Sequence, residues 1–251
     1  SSLDPAAYFA SPETWSYVAA TLSLSTGLAP LPGVFETLPA AGEVNVPLWT
    51  LKYEVFSYAL LTVLAAAGIW ARPMLFRLFL AVLALAYLSQ LGQRSVADHG
   101  VIDHVLRFSV CFFLGVAAYR MRHRLPLSVP GAVLAAALLV AANGTMFEEP
   151  VSYAAVGYLM LCFAALPLGP VRRLFARADL SFGLYIYGWP VAQTVLLLAP
   201  GIGPVGLAPA SLAGAAAVAA ISWTLVEKPA LALKRRLPSL QARGKARSMP
   251  A

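Results

Sequence analysis

Apolar residues gather along this chain in seven long runs, at roughly 47–70, 74–92, 104–121, 127–143, 151–169, 180–199 and 206–226. Such runs approach the ~20 residues that a helix needs to cross a hydrocarbon core about 30 Å thick. The pattern predicts an all-α, polytopic transmembrane helix bundle of seven spans joined by short loops. The fourth run is Ala-rich and the fifth Tyr-rich, and both are short. Upstream, residues 12–26 predict one short surface helix with Pro12 and Glu13 in its first turn. Its apolar stretch is too short and too rich in Ser and Thr to count as a span. Pro30, Pro32, Gly33, Pro39 and Gly42 then punctuate an irregular loop. The expected organisation is an extracytoplasmic segment at 1–46, a membrane domain at 47–226 and a basic cytoplasmic tail at 227–251.

Composition agrees with that picture. Hydrophobic residues make up 60% of the chain and charged residues 12%, about half the charged share of a soluble domain; mean hydropathy is +0.74. The charges also set an orientation. Basic residues cluster in alternate connections: Arg72 and Arg77; Arg120, Arg122 and Arg124; Arg172, Arg173 and Arg177; and the tail from Lys228 to Arg247. The other connections hold Arg94 with Asp98, Asp103, Glu148 and Glu149, and residues 1–46 contain no Lys or Arg. The positive-inside rule therefore puts the N-terminus outside and the C-terminus in the cytoplasm. The net charge of +7 follows from this topology, and the tail reads as an anchor attracted to anionic lipid rather than a nucleic-acid binder. Cys111 and Cys162 both fall inside spans, as two buried thiols rather than a disulfide. The chain opens outside on Ser1 without an initiator Met or a signal peptide, so the expectation is a fragment with further spans upstream.

The first span carries a carboxylate. Glu54 follows Asn45-Val46-Pro47-Leu48-Trp49 and precedes an almost wholly apolar stretch. An ionisable group at such depth is a functional candidate by default. Leu51, Glu54 and Tyr58 share one helical stripe. Glu54 reads either as a group that orients a base, accepts a proton or binds a hydroxyl, or as half of a structural ion pair with Lys52 or Arg107. His104 and Arg107, at i and i+3 in the third span, line the same external cavity or serve as ordinary interfacial residues. His99 and His123 read as solvated. In the sixth span, Asp179 caps a helix whose Tyr185, Tyr187 and Trp189 precede Pro190. That proline predicts a kink whose freed carbonyl needs another partner, in a segment that lines a pocket or packs on a neighbour. In the seventh, Gly214-Ala215-Ala216-Ala217 suits close helix packing. Glu227 and Lys228 read as an ion pair at the cytoplasmic boundary, with Pro229 as a stop. No metal-ligand spacing, phosphate loop, nucleophile elbow or dinucleotide fingerprint is present.

Three of these segments occur in an informative order: Asn45…Leu48-Trp49-Thr50-Leu51…Glu54, then Ser181-Phe182-Gly183-Leu184-Tyr185-Ile186-Tyr187-Gly188-Trp189-Pro190, then Ser222-Trp223…Val226-Glu227-Lys228-Pro229. Together they resemble the membrane-bound acyltransferase 3 family, the O-acetylases of bacterial surface and secreted carbohydrates, over residues 45 to about 236. The resemblance implies a ten-span enzyme of the bacterial inner membrane. It takes an acyl group, usually acetyl, from cytoplasmic acyl-CoA and delivers it to a carbohydrate or glycolipid hydroxyl on the extracytoplasmic side. The family's essential histidine and its paired-arginine motif belong to spans upstream of residue 1, and the resemblance transfers neither role to His99, His104 or His123. The position after Tyr187, usually histidine, is Gly188. By resemblance Glu54 is the catalytic carboxylate, orienting the base or positioning the acceptor. Asn45, Trp49, Tyr58, His104, Arg107 and Tyr185 are the substrate-binding candidates, and the cytoplasmic arginines are candidates for the coenzyme A phosphates. The chain by itself is expected to insert without catalysing transfer.

Two other classes compete. The first is a receptor or light-driven pump, since seven spans with the N-terminus outside suit both. A retinal pump needs a lysine in its last span, and residues 206–226 contain none, while a receptor stays open with no positive feature for it. A transporter or flippase-like carrier of a glycolipid or acyl intermediate would use Glu54, Lys52 and Arg107 as path residues.

Overall fold

The computed structural model describes residues 1–25, 30–91, 100–166 and 178–236, with side chains to 233. Regular structure among these residues is helical. The helices are α1 (Pro5–Ala10), α2 (Pro12–Leu22), α3 (Leu51–Ala66), α4 (Pro73–Leu91), α5 (Val101–Arg120), α6 (Val129–Ala142), α7 (Glu148–Ala164), α8 (Ser181–Leu198), α9 (Pro204–Ser222) and α10 (Lys228–Arg236). A 3-10 turn, Val46–Thr50, leads into α3, and a π turn, Trp223–Glu227, joins α9 to α10.

Among the described residues four helices are long and apolar enough to cross a bilayer: Pro73–Leu91, Val101–Arg120, Ser181–Leu198 and the continuous Pro204–Leu233. They match the second, third, sixth and seventh runs. The other three runs form shorter helices of 16, 14 and 17 residues. At about 1.5 Å per residue these reach roughly 21–26 Å. In the first, Pro47 sits in the 3-10 turn instead of opening the α-helix, so the apolar run is longer than the helix it forms.

The helices bury little of themselves. Only Phe76 and Tyr87 of α4 are buried, while Leu78, Val82 and Leu85 form an outward stripe. Outward apolar stripes suit helices whose surroundings are lipid rather than water. Cys111, expected to be buried, lies on such an outward face, and Cys162 is half-buried; both are free thiols.

The chain divides into two compact units, Ser1–Trp49 with Gly169–Ala251, and Thr50–Leu168. In the second unit Leu64, Phe76 and Phe113 form the core, with Phe79, Leu83 and Phe112 packed around it. In the first unit α8 packs on α9. A Cβ on Gly183 would stand 2.7 Å from the Cβ of Ala219, and Ala215 and Ala219 are buried. The small-residue stretch thus mediates a close helix crossing, as expected.

Pro229 does not stop the last helix. Within the π turn the Lys228 N–H bonds to Trp223 O, five residues back. The wide turn shifts the register before Pro229, so the proline falls in the first turn of α10, where a missing N–H is tolerated. The basic tail therefore begins as a helix.

Candidate functional site

In the first unit, the segment Ala40–Pro47 runs antiparallel along α8. Gln193 Nε2 donates to Ala40 O at 3.0 Å and Glu43 O at 3.3 Å. Trp189 Nε1 donates to Glu43 O at 2.9 Å, and Tyr185 Oη to Pro47 O at 2.9 Å. Asn45 Nδ2 donates to Ile186 O at 3.0 Å. That carbonyl is the one that Pro190, four residues on, leaves without its helical N–H. The partner required by the proline is supplied from 141 residues away. The loop's carbonyls likewise receive side-chain donors from α8, which an irregular segment inside a bilayer needs. Asn45 and Tyr185 therefore each commit a donor to a backbone carbonyl, and Trp49 is half-buried in the 3-10 turn. Gln193, 3% exposed, was not picked out from sequence; its signal is a lone amide in an apolar run.

The third motif joins the second. Tyr187 Oη lies 3.3 Å from Ser222 Oγ, which donates to Glu227 Oε1 at 3.1 Å. The Glu227 carboxylate is thus bonded within its own helix by Ser222.

In the second unit α3 turns Tyr53, Ser57 and Leu64 inward. Tyr53 stacks on Phe108 of α5 at 4.9 Å between centroids and meets His104 at 5.7 Å. Glu54 and Tyr58 lie on the outward face, where Tyr58 Oη donates to a Glu54 carboxylate oxygen at 2.9 Å. The expected stripe is present. The ion-pair reading is not what is seen, because Arg107 is engaged on α7 and Lys52 Nζ stands 5.1 Å over the Tyr53 ring.

Positions four apart divide α5 into two faces: His104 and Phe108 meet Tyr53 of α3, while Arg107, with Asp103 one turn before it, reaches α7. Arg107 Nε donates to Glu149 Oε1 at 2.5 Å and to Tyr153 Oη at 3.2 Å, and its Nη1 is 3.9 Å from Asp103 Oδ2. Tyr153 also donates to Glu149. Two carboxylates and a phenol surround one guanidinium. Beside them opens a cleft of about 500 Å³. Its lining includes Arg107, Thr145, Glu148, Glu149, Ser152 and Tyr153. Such a wall offers donors and acceptors in similar number, which suits hydroxyl groups. His104 and Arg107, expected to line one cavity, thus point to different neighbours. Glu149 was read as a loop charge, but α7 starts at Glu148 and places it in the first turn. The i, i+4 spacing of Glu149 and Tyr153 was the available signal.

Among the basic residues expected on the cytoplasmic side, the Arg120 guanidinium lies over Trp70 and Phe76, 4.8 and 4.7 Å from the ring centroids. Its Nη1 donates to Trp70 O. Arg122 covers Tyr119, and His123 is exposed, as expected for a solvated turn. Arg172, Arg173, Arg177 and His99 lie outside the described residues. Among the described residues the geometry establishes helical regular structure with four membrane-length helices. Within one unit, hydrogen bonds link Asn45 and Pro47 of the first motif to the second, and the second to the third; the other unit holds a polar cleft. No protein-family model, curated protein or solved structure matches the chain.

Proposed function

We propose that this chain belongs to an integral-membrane O-acyltransferase of the bacterial inner membrane, crossing it seven times over these residues with Ser1 outside. It moves an acyl group, acetyl by the resemblance, from cytoplasmic acyl-CoA to a hydroxyl of an extracytoplasmic carbohydrate. One observation carries the reading. The three motifs on which the resemblance rests are linked in series: Asn45 of the first caps the carbonyl freed by Pro190 of the second, and Tyr187 of the second meets Ser222 of the third. Such mutual satisfaction explains why these residue types occur together. It assigns Asn45 and Tyr185 to bracing more than to sugar contact.

Acyl transfer needs a base for the hydroxyl and donors for negative charge developing on the acyl oxygen. Glu54, with Tyr58 bonded to it, is the carboxylate available to orient a base or hold the acceptor. The cleft beside Arg107, whose lining does not include Glu54, is a polar surface for the remainder of the acceptor in this reading. By the charge rule the α6–α7 connection that supplies Thr145 faces outside, where the sugar would be. The test is transfer of radiolabelled acetyl from acetyl-CoA to cell-surface polysaccharide, using protein expressed from its complete gene in membranes. Glu54→Gln is expected to lower transfer by about 100-fold or more with insertion unchanged. Near-normal turnover in that variant removes the role of Glu54. Absence of any transfer by the inserted, unmodified protein favours a carrier without chemistry.

A further inference from the structure

The N-terminal pair α1–α2 has its polarity arranged in an unusual way. Along α2 one face, Thr14, Tyr17 and Thr21, turns toward the protein. A second, Trp15, Val18, Ala19 and Leu22, is exposed and apolar, with Trp15 59% and Leu22 79% exposed. A third carries Glu13, Ser16 and Ala20. At 3.6 residues per turn the second and third faces lie about 140° apart. Phe9 extends the apolar face from α1.

A helix on a water-covered surface does the reverse, turning its apolar stripe inward. Here Thr14, Tyr17 and Thr21 point in, and the apolar stripe points out beside an exposed polar face of Glu13 and Ser16.

The hydrogen bonds point the same way. A helix ends with carbonyls that water ordinarily satisfies. At the end of α1, Ala7 O accepts from Ser11 N–H, Tyr8 O from Thr14 Oγ1 at 2.7 Å, and Phe9 O from Trp15 Nε1 at 2.9 Å. At the end of α2, Ala19 O, Ala20 O and Thr21 O accept from Ser23, Ser25 and Leu24 N–H. The Trp15 indole N–H is therefore satisfied inside the chain while its ring is exposed. Three of the last four carbonyls of each helix thus find donors within the chain, which reduces the cost of placing these ends beside lipid. With 11 residues, α2 reaches only about 17 Å, too short to cross. On the third face the Ser11 hydroxyl bonds Glu13 and holds its carboxyl below the ordinary range, and Glu13 and Ser16 are both exposed.

We propose that α1–α2 lies in the plane of the membrane interface, with Phe9, Trp15, Val18 and Leu22 inserted among lipid and Glu13 and Ser16 in water. In-plane helices hold themselves this way, by a buried apolar face. Residues 1–46 carry no Lys or Arg, so this contact draws on apolar area and the tryptophan rather than on anionic headgroups. The inference rests on the membrane reading alone and is independent of acyl transfer.

Spin labels decide it. Single cysteines at Val18→Cys, Leu22→Cys, Glu13→Cys and Ser16→Cys are introduced into the complete protein with its native cysteines replaced. The protein is reconstituted in phosphatidylcholine vesicles. All four positions are exposed, so substitution there does not threaten folding. Relative to the labels at 13 and 16, those at 18 and 22 are expected to show a several-fold higher ratio of collisions with oxygen to collisions with a water-soluble nickel complex. Equal nickel access at all four positions overturns the proposal in favour of a solvated helix. Low access to both reagents at 18 and 22 overturns it in favour of a protein partner or a second copy covering the stripe. As a second measurement, dibrominated lipid is expected to quench a fluorescence component that Trp15→Phe removes. Equal fractional quenching with and without Trp15 counts against insertion.

Discussion

Asn45 and Arg107 are both polar residues of a chain dominated by apolar runs, and their surroundings differ in kind. Asn45 belongs to a brace. Its amide donor meets the single carbonyl that Pro190 leaves open, and its neighbours Tyr185, Trp189 and Gln193 each donate to a carbonyl of the facing segment. Arg107 belongs to a cluster in which Asp103, Glu149 and Tyr153 gather around one guanidinium beside an open cleft. The brace consists of neutral donors on backbone acceptors, and that is sufficient reason for those side chains to exist. The cluster gathers two carboxylates and a phenol about one guanidinium and borders space that a ligand can enter. In an apolar chain, polar side chains matched to irregular backbone serve the fold. Charged ones gathered at a cleft are the better candidates for chemistry.

That contrast can be broken by substitution. The largest effect is expected at the cluster: Arg107→Met removes the guanidinium that Glu149 and Asp103 share. Losing one partner of a fully buried pair costs about 3–5 kcal/mol. With the Arg107 side chain 30% exposed, a loss of about 2–3 kcal/mol is expected, read as thermal unfolding in detergent micelles. A loss below about 0.5 kcal/mol would mean that solvent already screens the cluster.

The brace gives a smaller and more diagnostic result. Asn45→Ala strips the Ile186 carbonyl of its donor, at about 1–3 kcal/mol. In a Pro190→Ala background, residue 190 regains an N–H that can reach the same carbonyl, so the Asn45→Ala penalty should shrink by about half or more. Equal penalties in both backgrounds would show that Asn45 contributes in some other way.

The smallest effect belongs to Asp179, before α8. Its Oδ1 accepts from the Ser181 hydroxyl at 2.5 Å and from the Ser181 N–H at 3.1 Å. The hydroxyl is the larger cause and the N–H the second, and together they hold the carboxyl below the ordinary carboxylate value. Because the folded state has the lower value, the contribution is complete above the unfolded pKa and disappears as pH falls through the folded one. Asp179→Ala should therefore cost a few tenths of a kcal/mol at most at neutral pH, solvent screening at this exposed carboxylate being discounted, and nothing once pH is below the folded value. A difference that persists there would locate the effect elsewhere than the carboxylate.

Much of the architecture was legible in the run of apolar positions. The second, third, sixth and seventh runs became helices of membrane length, because a continuous apolar stretch has no better way to satisfy its backbone in lipid. Helix stripes were legible too, since i, i+4 geometry is local: Glu54 and Tyr58 were placed together and are bonded. Cys111 was misread as buried because composition cannot tell a face turned to lipid from one turned to protein. Pro229 was misread as a stop because a π turn leaves no mark in composition.

The sequence by itself determined that the chain is helical, apolar and asymmetric in charge, and that Pro190 would leave a carbonyl seeking a donor. Only the tertiary structure decided which donor answers. It drew Asn45 along α8 to Ile186, and it paired Arg107 with Glu149 and Tyr153 rather than with Glu54. Periodicity fixes the face on which a side chain lies, through the angle each residue turns about its own helix axis. The partner across a gap depends on how helices cross and on how an irregular segment returns, and both are set by contacts between residues far apart in the chain.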